Sequence, residues 1–236
     1  IDAFLVETRG KPEAAMRGAV MAFTAIGMTG FEGRLSQLVA PQGKESKETR
    51  ELAEMARRLA LELPVTKALE PVLWQLESVS SGADKAQVIA KLSTGPYDER
   101  NAARWQKLAT DREEAISGKA LEFLAKAPKP PVGLFVERLA SVGYATQQML
   151  IEALTRAAAS AGPQFIDQLL PLMAAGDPAT RNAVMKILLG LKQPKVVIRK
   201  YIQFAKGLAP FIRERVLDSL RAFGAELVEP VIELLS

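Results

Sequence analysis

Apolar and polar positions in this chain alternate with the period of a helix, and the alternation itself recurs. The pattern apolar, variable, usually acidic, variable, apolar occurs as "FEGRL" from Phe31, "ALEPV" from Ala68, "FVERL" from Phe135, "FIDQL" from Phe165, "VIRKY" from Val197 and "LVEPV" from Leu227. The intervals are 37, 67, 30, 32 and 30 residues, and the long one is about two periods. A degenerate copy near residues 100–105 would complete seven. Each copy opens a segment with apolar residues at helical spacing, as in Phe165, Ile166, Leu169, Leu170, Leu172 and Met173. No stretch keeps a period of two, so no sheet is expected.

A second helix precedes each clear copy. "GDPATRNAVMKILLGL" offers Asp177 as N-cap and Pro178 at the first helical position, which is a strong start signal. Its apolar stripe is Ala183, Val184, Ile187, Leu188 and Leu191. "APFIRERVLDSLRAFG" repeats it 32 residues later, with Arg213, Val216, Leu220 and Phe223 in the places of Arg181, Val184, Leu188 and Leu191. "ATQQMLIEALTRAA" repeats it 34 residues earlier, with Gln147, Leu150 and Leu154 in the equivalent slots. Gly162-Pro163, Gln193-Pro194 and Gly207 punctuate the junctions. The unit is therefore helix, short turn, helix. A unit this short cannot bury its apolar faces alone, whereas stacked copies can. The predicted fold is all-α: an α-solenoid of about six to seven two-helix repeats.

The segment Asp177-Pro178-x-x-Arg181-x-Ala183-Val184-x-x-Ile187-Leu188-x-x-Leu191 resembles the first helix of HEAT repeats, especially the short bacterial type of the phycobilisome-lyase-like proteins. The resemblance covers roughly residues 131–236 well and 1–95 more weakly. Gly190 sits one place late, and a single repeat carries the full Asp-Pro-x-x-Arg. The resemblance implies a right-handed superhelix with second helices lining its concave side, and a structural inter-repeat role for Arg181 and Arg213. HEAT arrays mostly bind other proteins; some bind nucleic acid, and a few are enzymes such as lyases or glycosylases.

The middle is less regular. "PYDERNAARWQKLATDREEAISGKALEFLAKA" is densely charged, carries an isolated Trp105, and is expected to form one or two long helices. "APKPP" at 127–131 reads as a break. It divides the chain softly into irregular N-terminal repeats, 1–126, and regular C-terminal repeats, 127–236, of one superhelix. The chain opens at Ile1 without Met and closes on Ser236 after an apolar helix, so it reads as a piece of a longer protein. Leu234 and Leu235 are expected at an exposed terminal stack or in contact with another copy, since a last repeat normally needs a cap.

Composition narrows the chemistry. There is no Cys and no His, which removes thiolate chemistry, the usual neutral-pH base and the commonest transition-metal ligand. The absence of Cys fits cytoplasm and periplasm equally; cytoplasm is the expectation. No apolar run approaches the ~18 residues of a membrane span. "GKES" at 43–46 has the Gly-Lys of a phosphate loop without its upstream glycine or strand, so a polar loop is the plainer reading. Glu113 and Glu114 sit in a highly charged helix and read as a solvated face. No catalytic residue, metal or cofactor is expected.

Numbering each second helix from its opening apolar residue sharpens the search for a binding surface. Slots 1, 2 and 5 are mainly apolar and belong to the core. Slots 3 and 7 are four apart, so they share a face. Slot 3 reads Gly33, Glu70, Glu137, Asp167, Arg199, Glu229, and slot 7 reads Gln37, Trp74, Ser141, Pro171, Gln203, Glu233. This column is predicted to be the exposed wall. Trp74 departs from it and reads either as an exposed partner anchor beside Glu70 or as core in a rotated helix. Arg199 departs by its charge.

Charge is uneven as well. Residues 119–236 hold 15 basic and 10 acidic side chains. Lys195, Arg199 and Lys206 lie along one side of a helix with Gln203; Lys192 precedes them and Lys200 lies beside them. Such a patch attracts an acidic protein or phosphates, or is a solvated face. The leading expectation is a non-catalytic scaffold for protein partners, with nucleic acid or another phosphate-bearing ligand at 181–221 as the alternative. Glu70, Glu137, Asp167 and Glu229 argue against a duplex lying along the whole wall.

Overall fold

The computed structural model describes residues 6, 12–26, 30–40, 46–158, 162, 164–174, 177–191 and 193–235. Among these, every regular element is helical. In chain order they are α1 (Pro12–Ile26), α2 (Glu32–Val39), α3 (Lys47–Glu62), α4 (Glu70–Val79), α5 (Gly82–Ser93), α6 (Ala102–Leu108), α7 (Glu114–Leu124), α8 (Val132–Arg138), α9 (Tyr144–Ala158), α10 (Gln164–Met173), α11 (Pro178–Leu189), α12 (Pro194–Lys206), α13 (Pro210–Ser219) and α14 (Val228–Leu235), with 3-10 turns at Glu99–Asn101 and Leu220–Leu227. No described helix is long and apolar enough to cross a membrane.

The start signals act as the sequence reads. The Asp177 carboxylate accepts the amides of Ala179 at 3.1 Å and Thr180 at 2.8 Å, and Pro178 occupies a position whose N–H would have no helical partner. Pro194 and Pro210 open α12 and α13 in the same way. Ser46, the last residue of "GKES", caps α3 by accepting the Thr49 amide at 3.1 Å; residues 43–45 lie outside the described residues. Gly224, at φ 56° and ψ −130°, lets the chain turn between α13 and α14 where a side chain would be strained.

Two compact units emerge, one of Ile1–Tyr97 with Asp111–Ala120, the other of Asp98–Thr110 with Leu121–Ser236. This division runs through α7, whereas the sequence break lies at 127–131, which is indeed non-helical. In the first unit α4 packs against α2, α3 and α5, and α1 packs against α3. Leu35, Leu59, Leu69, Leu73 and Ile89 form its core, and Phe23 meets Phe31 edge to face at 5.3 Å.

In the second unit α8 packs on α10, α10 on α12 and α12 on α14. Helices α9 and α11 also pack together. Slots 1, 2 and 5 are buried in the copies at Phe135 (Phe135, Val136, Leu139), Phe165 (Phe165, Ile166, Leu169) and Val197 (Val197, Ile198, Tyr201). The charged middle is not one or two long helices. The chain breaks between α6 and α7, where the Thr110 hydroxyl donates to the Lys107 carbonyl at 2.8 Å and Asp111 accepts the Glu113 amide at 3.0 Å. Such local bonds compete with helix propagation. Trp105 is buried and stacks on Phe123, ring centroids 4.2 Å apart, so it belongs to the core of the second unit.

Side chains also close helix ends that the backbone leaves open. The last turn of a helix has carbonyls without an amide partner. Arg57 donates to Val39 O at 3.0 Å, Gln147 to Leu139 O at 3.0 Å, Arg215 to Ala174 O at 3.0 Å and Arg213 to Leu208 O at 2.9 Å. Val39 is the last residue of α2, and Leu139, Ala174 and Leu208 follow the ends of α8, α10 and α12 by one, one and two residues.

Candidate functional site

The residues nominated as a wall divide by environment. In slot 3, Gly33, Glu137, Asp167, Arg199 and Glu229 are exposed and Glu70 is half-buried; in slot 7, Gln37, Ser141, Pro171 and Gln203 are exposed. The Glu233 side chain lies outside the described residues, as do those of Leu234 and Leu235.

Trp74 is the correction. It is 6% exposed, and its indole N–H donates to Glu70 Oε1 at 3.2 Å, one helical turn back. It has no large exposed face to offer as a partner anchor, and Glu70 is engaged in holding it. The cause is tertiary: α4 is wedged among three helices, so Val72, Leu73, Trp74, Leu76 and Glu77 are all buried. A signal was present in "VLWQL", where apolar residues cover most of the helix circumference; a helix apolar on most sides is a buried one.

The basic residues of 181–221 are largely engaged. Lys200 on α12 donates to Asp167 on α10 at 2.6 Å, and Lys195 on α12 pairs with Glu229 on α14. Arg213 and Arg215 are bound to carbonyls, as above, and Arg221 pairs with Asp218 at 3.1 Å. The Thr180 hydroxyl above all, then the Thr180 and Ala179 amides and last the Arg181 charge, hold the Asp177 carboxyl below the usual range. Lys192 lies outside the described residues. Arg199, Gln203 and Lys206 are exposed on α12.

The opposite side of α12 carries a residue that sequence reasoning passed over. Tyr201 fills the apolar slot 5 with no exposed surface; its hydroxyl meets Ser219 Oγ at 2.5 Å and Met185 Sδ at 3.7 Å. Burial pushes its pKa up to about 12, against the opposing hydrogen bond from Ser219. The slot pattern scored Tyr as apolar, which is right for the ring and silent on the hydroxyl.

Two further charged groups lie in the first unit. Lys85 sits 3.6 Å from Glu77 and 3.5 Å from Asp111, and burial depresses the pKa of Lys91 while Glu62 opposes the shift. Among the described residues no group of acidic side chains is arranged to hold a metal ion.

Ser141 falls in the turn after α8, and what stands together is therefore the exposed face of α8, α10, α12 and α14: Glu137, Asp167, Pro171, Arg199, Gln203 and Glu229, cross-linked by the Lys200–Asp167 and Lys195–Glu229 pairs. It can form directional hydrogen bonds and charge-assisted contacts. No family model matches the chain, and no curated protein matches it in sequence.

Proposed function

We propose that the protein is a non-catalytic, HEAT-like α-solenoid scaffold that binds a protein partner on the exposed face of its second helices. The observation that carries this reading is the split within one register. Slots 1, 2 and 5 stay apolar and buried in three successive copies, while slots 3 and 7 stay exposed and change from Glu137 and Ser141 to Asp167 and Pro171 to Arg199 and Gln203. In a stacked fold the core slots answer to packing, and the exposed slots are the ones open to vary with a ligand. That column holds no nucleophile beside a base, and with neither His nor Cys in the chain its polar groups suit recognition better than turnover.

The test is position-specific photocrosslinking in an extract of the source cells. A photoreactive residue at Glu137 or Gln203 should yield discrete protein adducts. The same residue at Glu152 or Lys186, exposed on first helices α9 and α11, should yield few. Equal or stronger labelling from Glu152 and Lys186 would overturn the proposal.

A further inference from the structure

We infer that two copies of this chain associate through an apolar face of α13 and α14 that carries Leu217 and Val228. The contact uses slot 2, not slots 3 and 7, so it does not depend on the partner-binding reading.

The register identifies the face. Slot 2 of the second helices is buried at Val136, Ile166 and Ile198, yet Val228 in the same slot of α14 is 59% exposed. The first helices behave alike. Ile151, Met185 and Leu217 are equivalent by the 34- and 32-residue repeats; the first two are buried and Leu217 is 36% exposed. Among the described residues, α8, α10 and α12 are each followed by a packed helix, and α14 packs on α12 and on the 3-10 turn that precedes it. Slot 2 and its counterpart on the first helix are therefore the positions that a following copy covers. Exposed apolar positions of this kind mark a contact surface.

What covers these positions elsewhere in the unit says what fits them here. In each earlier copy they are closed by another amphipathic helix of this chain, so the occupant is helical and apolar on the contacting side. A second copy offers such a surface in its own α13 and α14. A two-fold axis sets the face against itself, so each apolar position withdrawn from water is withdrawn twice. Charge does not oppose the contact. From Pro210 to Ile232 three basic side chains stand against four acidic ones, in a chain of net charge +4. Two copies meeting here bring together segments of nearly balanced charge, without the repulsion that a surface of one sign would impose.

Sedimentation equilibrium of the full chain over a concentration series is the test, with melting temperatures measured alongside. The parent should show a reversible monomer–dimer equilibrium. The double variant Leu217→Lys/Val228→Lys sets lysines of both copies in one contact and should weaken the dimer by about tenfold or more. At concentrations where both proteins are monomeric, its melting temperature should match the parent's, since both side chains are exposed. Leu189→Lys, which alters an exposed leucine of α11, should leave the equilibrium unchanged. The chain has no Cys, so Val228→Cys adds a single thiol. A short bis-maleimide should join that thiol to its counterpart in covalent dimers, and Leu189→Cys should give none. A dimer undisturbed by the double variant, open-ended oligomers, or equal crosslinking from Leu189→Cys would overturn the inference. So would a monomer at every concentration, and shielding of the Val228→Cys thiol in that monomer would show another segment or protein seated there instead.

Discussion

Trp74 and Gln203 occupy the same slot of the register, yet one is core and the other surface. The difference follows from what surrounds each helix, and it is measurable. Trp74→Ala should cost about 3–5 kcal/mol in urea unfolding, as a large buried aromatic is removed. Trp74→Phe should cost less, losing the bond to Glu70 and part of the volume. A cost for Trp74→Ala below about 0.5 kcal/mol would place the indole on the surface. Tyr201 gives a pH test. Its folded pKa, about 12, lies above the ordinary value of 10. The folded state therefore holds the proton more tightly, and its contribution is complete below the ordinary value. It is lost as pH rises from that value through the folded pKa. The loss should total about 2–3 kcal/mol, and Tyr201→Phe should remove this part of the alkaline decline.

At the scale of the element, the place of Gly190 is set by what packs against it. It closes α11 with ordinary helical geometry, φ −73°, so no special backbone freedom is required. A Cβ built there would stand 2.9 Å from Thr155 Cγ2 on α9 and 3.3 Å from Ile187 O. The glycine is thus a close-approach residue between α9 and α11. Gly190→Ala should destabilise by about 1–3 kcal/mol through overpacking. Thr155→Ser, which deletes the opposing methyl, should restore part of that loss in the double variant. If Thr155→Ser gives no rescue in thermal melts, the contact is not the cause.

At the scale of the molecule, the packed slots form the framework on which the exposed face is carried. Leu169 and Leu188 have no exposed surface and come from successive helices, α10 and α11, that pack together. Leu169→Ala and Leu188→Ala should each cost about 2–5 kcal/mol. A cost below about 0.5 kcal/mol in urea unfolding would place either side chain at the surface. Net charge is +4, but its effective display on the second helices is smaller, because Lys195 and Lys200 are already matched by Glu229 and Asp167.

Helical character and the identity of most core slots were legible in the sequence, because both are local. Helical spacing sets which residues share a face, and caps such as Asp177-Pro178 act within one turn. The copies at Phe135, Phe165 and Val197 show this: their apolar slots are buried where periodicity places them. Which further face is covered is not local. Trp74 is buried because three helices enclose α4, and Trp105 because Phe123 comes to lie on it. The chain read as letters displays ten basic residues between Arg181 and Arg221; the tertiary structure sets Lys195 beside Glu229, Lys200 beside Asp167, and Arg213 and Arg215 on helix-end carbonyls. Periodicity acts over a turn of helix, whereas Coulombic pairing and enclosure act between residues tens of positions apart, and those separations exist only once the helices have packed.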